Sequence, residues 1–231
     1  MLAKRKKITK KEMKEDKLVT YYYKAKELAK EYQGKILIGL GVVAVIVVAV
    51  ILMNQNAAKN NLKANALMAK VIPLYEAGQY REAIDGKKLE NISGLKQISD
   101  EYGSSEAGEM AKLYLANAYY LIGEFENALK YYKEFSGSGD VFKATSYAGI
   151  AACHEAKKEN KDAADYYKKA ASISKSNTNN AEYLLKAGIN YIAAKQNSDA
   201  KELFIKIKED YKTSMVAYEV DKYLAIVGGR D

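Results

Sequence analysis

The sequence predicts an all-helical (all-α) protein with one membrane-spanning helix near its N-terminus, followed by helix pairs stacked as an α-solenoid. Three observations carry this. An uninterrupted apolar run fills residues 36–53. Beyond it, apolar residues return every three or four positions with almost no alternation, the pattern of helices rather than strands. The chain also resembles itself at intervals of 45, 35 and 37 residues, the mark of stacked helix pairs. The predicted organisation is a basic tail over 1–35, a transmembrane anchor over 36–53 and a repeat domain over 54–231.

The tail comes first. Residues 1–35 hold 12 basic side chains, from Lys4 and Arg5 to Lys30 and Lys35, against 5 acidic ones, a net of +7. The remaining 25 basic and 24 acidic residues leave the rest of the chain at +1. The overall charge of +8 and pI near 9.1 therefore describe the tail, and nucleic-acid binding by the large domain is not expected. The stretch 10–33, with Leu18, Val19, Tyr22, Leu28, Ala29 and Tyr32 among lysines, reads as a solvated topogenic tail. An amphipathic helix on anionic headgroups is the alternative.

The anchor reads ILIGLGVVAVIVVAVILM, 18 residues without a polar side chain. As a helix it spans about 27 Å, close to the hydrocarbon thickness of a bilayer, whereas a lone strand in lipid would leave its backbone unpaired. A cleaved signal peptide has a shorter apolar region after a short basic start, so the segment reads as an uncleaved anchor. Val43 and Val45 stand four residues after Gly39 and Gly41, which removes a GxxxG dimerisation face. Basic residues favour the cytoplasmic side, so the N-terminus is expected in the cytoplasm and the large domain across the membrane. Lys59, Lys63 and Lys70 weaken that contrast.

The repeats follow. Aligned on Ala83, Ala128, Ala163 and Ala200, the chain reads AGQYREAI, IGEFENALKYYKEF, KENKDAADYYKKA and KQNSDAKELFIKI. Each alanine sits on a second helix, followed four residues later by Tyr132, Tyr167 or Phe204 in the last three pairs. Twelve residues before each lies Val71, Ala116, Ala151 or Gly188, and three after that Leu74, Tyr119, His154 or Tyr191. A small residue lets two helices approach, and a bulky neighbour fills the groove beside it. The long first interval implies an extra helix over Leu95–Tyr102, ended by Gly103, with Ser104 or Ser105 capping the next helix. A terminal helix is expected over 214–227.

This pattern resembles the tetratricopeptide repeat, a unit of two antiparallel helices, in three to four divergent pairs plus the terminal helix. It departs from that repeat in having no tryptophan and only one proline, Pro73, inside the first helix region. A basic tail, one anchor, a short array and the stretches GLKQISDEYGSSEAGEMAKLYLANAYY and KIKEDYKTSMVAYEV resemble the bacterial family that contains the ancillary SecYEG translocon subunit and the cell-division coordinator. That resemblance implies a single-pass inner-membrane protein with its repeats in the periplasm. It implies a scaffold assisting handover between translocon and chaperones, with translocon subunits, chaperones or unfolded secreted chains as partners. The alternative is an anchored receptor whose array faces the cytoplasm.

Chemistry has little to work with. One cysteine, Cys153, and one histidine, His154, form neither an internal disulfide nor a four-ligand Cys/His metal site. As helix neighbours they point about 100° apart, so they cannot make a nucleophile–base pair. His154 takes the place of Tyr119 and Tyr191 in sister repeats and reads as a packing residue. No enzyme, metal or cofactor is expected. Binding is assigned to the first helices, which line the concave face of such arrays. The groove residues are Leu113, Asn117 and Tyr120, then Ala148, Ala152 and Glu155, then Leu185, Ile189 and Ile192. A mostly apolar groove is expected, which the terminal helix, through Tyr218, Tyr223 and Leu224, equally well closes.

Removing residues 1–53 should leave a soluble helical domain. Helical circular dichroism with a cooperative melt is the expected result, and an aggregated or unstructured fragment would refute an autonomous array.

Overall fold

The computed structural model describes residues 10–228, with side chains described from Val19 onward. Lys4, Arg5, Lys6 and Lys7 of the basic tail lie outside that range. The chain divides into two compact units, Met1–Asn56 and Ala57–Asp231.

In the first unit, the tail read as solvated is helical as α1 (Lys10–Glu31), with Tyr21, Tyr22 and Tyr23 exposed. The second helix, α2 (Gln33–Glu76), contains the apolar run, and every side chain of 36–53 is exposed. Among the described residues it is the one helix long and apolar enough to cross a membrane. An apolar surface on all sides of a helix suits lipid rather than water.

In the second unit, the rest of α2 buries Ala64, Met68, Val71 and Leu74, one stripe at helical spacing. The turn after it leads to the short α3 (Tyr80–Asp85), whose Ala83 and Ile84 share one hydrophobic cluster with that stripe. Three further pairs follow: α5 (Glu106–Leu121) with α6 (Phe125–Glu134), α7 (Asp140–Ala156) with α8 (Asn160–Ser172), and α9 (Asn180–Ala193) with α10 (Asn197–Asp210). The last helix is α11 (Met215–Gly228). From α4 onward, each helix packs on its neighbours in the chain.

The four pairs are closed by one and the same turn. Gly78, Gly123, Lys158 and Lys195, each five residues before the aligned alanine, hold positive φ of 76°, 81°, 60° and 61°. In each turn the residue that follows donates its N–H five residues back, to the carbonyl of Leu74, Tyr119, His154 or Tyr191, at 2.8 to 2.9 Å. This is a Schellman closure, which satisfies the carbonyls orphaned at a helix end. Each alanine is the fourth residue of its second helix, and Ala83, Ala128, Ala163 and Ala200 are all fully buried.

Between the first and second pairs, the expected extra helix is present as α4 (Leu95–Tyr102), and Ser105 caps α5 by accepting from the Gly108 N–H at 3.2 Å. The all-helical expectation missed a small excursion before it. There β1 (Gly86–Lys87) pairs antiparallel with β2 (Ile92–Ser93) around a 3₁₀ turn over Lys88–Glu90. A Cβ on Gly94 would lie 2.2 Å from the Ile84 carbonyl oxygen, so the backbones approach here only because Gly94 has none.

Two hydrophobic clusters form the core. One gathers α2 from Ala64 with α3 to α6, together with Ile150 and Cys153 of α7; the other joins α7 to α11. The rings that replace tryptophan seat on glycine. A Cβ on Gly149 would stand 2.2 Å from the Tyr132 ring, and one on Gly188 would stand 2.3 Å from that of Phe204.

Phe204 is fully buried and has no free space to swing into. Gly188→Ala should therefore lower the unfolding free energy by about 1–3 kcal/mol through overpacking. Gly123→Ala, where a Cβ meets nothing within 4 Å, should cost about 1–2 kcal/mol from left-handed strain alone. Denaturant titration measures both, and an unchanged midpoint for Gly188→Ala would refute the ring-on-glycine contact.

Candidate functional site

The surface built by the first helices carries hydrogen bonds within two helix pairs and one bond that joins neighbouring pairs. Asn117 of α5 accepts from the Tyr132 hydroxyl of α6. One pair further, the Tyr167 hydroxyl of α8 donates to Glu155 Oε2 at 2.9 Å, and Asn190 Nδ2 of α9 donates to Glu155 Oε1 at 3.1 Å. Tyr132 and Tyr167 hold the same repeat position, so the array delivers a phenol to this surface twice. Phe204 holds that position in the last pair and has no hydroxyl; there Asn190 also donates to the Lys186 carbonyl at 2.9 Å. Burial pushes both tyrosine hydroxyls far above their ordinary ionisation range, and the Glu155 carboxylate raises Tyr167 further. Both phenols remain donors at physiological pH.

Among the nine groove residues taken from the first helices, Asn117, Tyr120, Ala152, Ile189 and Ile192 are half-buried on this surface. Leu113 and Leu185 are not on it: they are 5% and 4% exposed and belong to the two cores. Each stands three residues before a crossing residue, Ala116 or Gly188, on the stripe that packs inward. Ala148 is half-buried and Glu155 exposed. The expected mostly apolar groove is thus crossed by a polar line. Sequence reasoning missed Asn190, which is buried.

At the α9 end the terminal helix joins the same core. Val216, Tyr223 and Leu224 share it with Ile189 and Ile192, and Tyr223 stacks on Phe204 with centroids 5.4 Å apart. Tyr218, expected to help close the groove, is 73% exposed.

Cys153 is fully buried. The His154 ring stacks on Tyr166 at 5.3 Å and 8°, as Tyr119 stacks on Tyr131 at 5.6 Å and 3° in the pair before. His154 Nδ1 lies 2.5 Å from Glu159 Oε2. His154, Glu159 and Asp162 place one possible ligand atom each within 4.8 Å of one another. Lys157 Nζ, however, stands 3.4 Å from Glu159 and 3.6 Å from Glu126. The hydrogen bond from His154, aided by Lys157, holds the Glu159 carboxyl below its usual range. Lys157 thus pairs with one carboxylate at the α7–α8 turn and one on α6.

No family model matches this chain, and no curated protein matches it in sequence.

Burial first, and Glu126 second, push the Cys153 thiol up to about 12; burial first, and Tyr119 second, push Tyr131 to about 12. Both are acids that the fold keeps neutral, so the unfolded chain loses these protons first, from about pH 8.5 to 10. Their contribution to stability is whole below that range and falls as pH rises toward 12. Thermal melts should drop from about pH 9 upward. At neutral pH a thiol reagent should label Cys153 only after unfolding, and rapid labelling of the folded chain would contradict its burial.

Proposed function

We propose that this chain is a membrane-anchored protein-binding scaffold. In this reading, its helix pairs form a divergent tetratricopeptide-like solenoid, and partners dock along the first helices α5, α7 and α9. The observation that carries it is the fourfold recurrence of one turn and one buried alanine. That recurrence supports a stack of equivalent pairs with a continuous first-helix surface, and extended surfaces of this kind suit chain-like partners. The half-exposed Tyr120, Ala152, Ile189 and Ile192 offer apolar contacts, while Asn117 and Glu155 offer polar ones to a partner backbone. The buried Cys153 and the occupied His154 support binding rather than catalysis.

The basic tail and the exposed apolar part of α2 support a single-pass inner-membrane protein with its N-terminus in the cytoplasm and its array in the periplasm. There it works beside the secretion translocon, receiving emerging chains or passing them to chaperones. The lysines Lys59, Lys63 and Lys70 just beyond the apolar run favour the opposite orientation, an adaptor whose array faces the cytoplasm.

Protease treatment of intact spheroplasts separates the two. Digestion of the array, leaving an N-terminal fragment of about 6 kDa (about 53 residues, tail plus anchor), is expected; protection until lysis would overturn the periplasmic reading. Photocrosslinking from position 120 or 152 should capture a translocon subunit, a chaperone or a secreted chain. Ala152→Arg should reduce capture from position 120 by about tenfold at an unchanged melting temperature. Equal capture by this variant would sink the first-helix surface as the docking face.

A further inference from the structure

A second recess lies on the other side of α7. Ala148, Ala152 and Glu155 occupy one side of that helix; Lys143, Ser146 and Ile150 lie about half a turn away at 100° per residue. There the C-terminal end of α6, the loop after it and α8 enclose a cleft of about 260 Å³. Its walls are the rings of Phe135, Tyr147 and Tyr166, and Lys133, Lys143 and Lys169 stand around them. Lys169 Nζ is held against one wall, 4.2 Å from the Tyr147 centroid and 5.9 Å from that of Tyr166, a cation–π seat.

The charge in this cleft is one-sided. No carboxylate lines it, and among the described residues none of the three lysines is ion-paired. The nearest acid that bonds a lining residue is Glu109, which accepts from the Ser136 N–H and hydroxyl, and it is itself paired with Lys112 at 2.6 Å. Three uncompensated ammonium groups around an aromatic wall attract an anion, and the rings offer apolar and edge-to-face contact to a further ring. The volume falls just under the ~300–1,000 Å³ of small-molecule pockets, room for one large side chain.

We propose that this cleft receives an aromatic side chain flanked by carboxylates, presented by an acidic peptide segment of a partner protein. The ring enters against Phe135 and the Tyr147–Tyr166 stack, whose centroids lie 6.4 Å apart, and the flanking carboxylates meet Lys133, Lys143 and Lys169. The proposal rests on reading the array as a protein-binding scaffold, but it uses a different surface from the first-helix groove.

The test uses the full chain in a nonionic detergent and a fluorescent probe peptide, Glu-Asp-Phe-Asp-Glu, followed by anisotropy. Two control peptides replace the phenylalanine by alanine or the acids by lysine. Saturable binding of the probe is expected, weakened about tenfold by either control and by Lys143→Gln with Lys169→Gln. Added salt should weaken it as well. Both lysines are exposed, so their substitution leaves the fold intact, which an unchanged melting temperature verifies. Ala152→Arg should leave probe binding unchanged, so failure of the groove and failure of the cleft are told apart. Absence of saturable binding, equal affinity for either control peptide, or affinity untouched by the lysine substitutions would overturn the proposal.

Discussion

The geometry of the array hangs on a backbone reversal in which one residue takes a left-handed conformation. At Gly78 and Gly123 this is free of Cβ strain; at Lys158 and Lys195 it costs each turn about 1–2 kcal/mol. The same pair of hydrogen bonds is made in all four turns, so the closure offsets that cost in the lysine turns as well. Because the reversal is the same, the second helix always starts with its alanine facing the preceding helix. Had one turn differed, that alanine would have rotated away, and the ring four residues later would have missed its seat.

Those rings do two tasks at once. With no tryptophan in the chain, tyrosine supplies both bulk and a polar tip. Tyr132 is 3% exposed. Its ring fills the space left open by Gly149, and its hydroxyl reaches Asn117 on the first-helix surface. The same ring lines the cleft on the far side of α7. A leucine there would keep the apolar burial and lose the bond. Asn117 would then forfeit the one partner that links α6 to that surface, and a half-buried amide oxygen without a donor is costly.

Local features were legible in the sequence. The apolar run, the helix over Leu95–Tyr102, a cap at Ser104 or Ser105 and the buried alanines each depend on composition or spacing within one turn or two. The Gly86–Ser93 excursion was not legible, because strands of two residues carry no period to detect. Nor were the left-handed Lys158 and Lys195, since lysine gives no conformational signal of the kind glycine gives at Gly123. On the first-helix surface, spacing did not show that Leu113 and Leu185 face the core. The bond from Asn190 to Glu155 joins residues 35 apart, and no window of the sequence contains both.

Net charge illustrates the same limit from the side of electrostatics. From residue 36 onward the chain sums to +1, which says only that positive and negative side chains are nearly equal in number. What a partner meets is the part left uncancelled. Much of the acid content is spent locally, in pairs such as Lys112 with Glu109, Lys161 with Asp165, Lys206 with Asp210 and Lys222 with Glu219. These contacts contribute little to stability where they are exposed, but they remove both signs from the outward field. The α6–α8 cleft lacks such pairing: Lys169 stands over the Tyr147 and Tyr166 rings, and Lys133 and Lys143 line it with no carboxylate among the lining residues. A nearly neutral domain thus carries a locally basic, aromatic recess, and it is local charge of this kind that directs association.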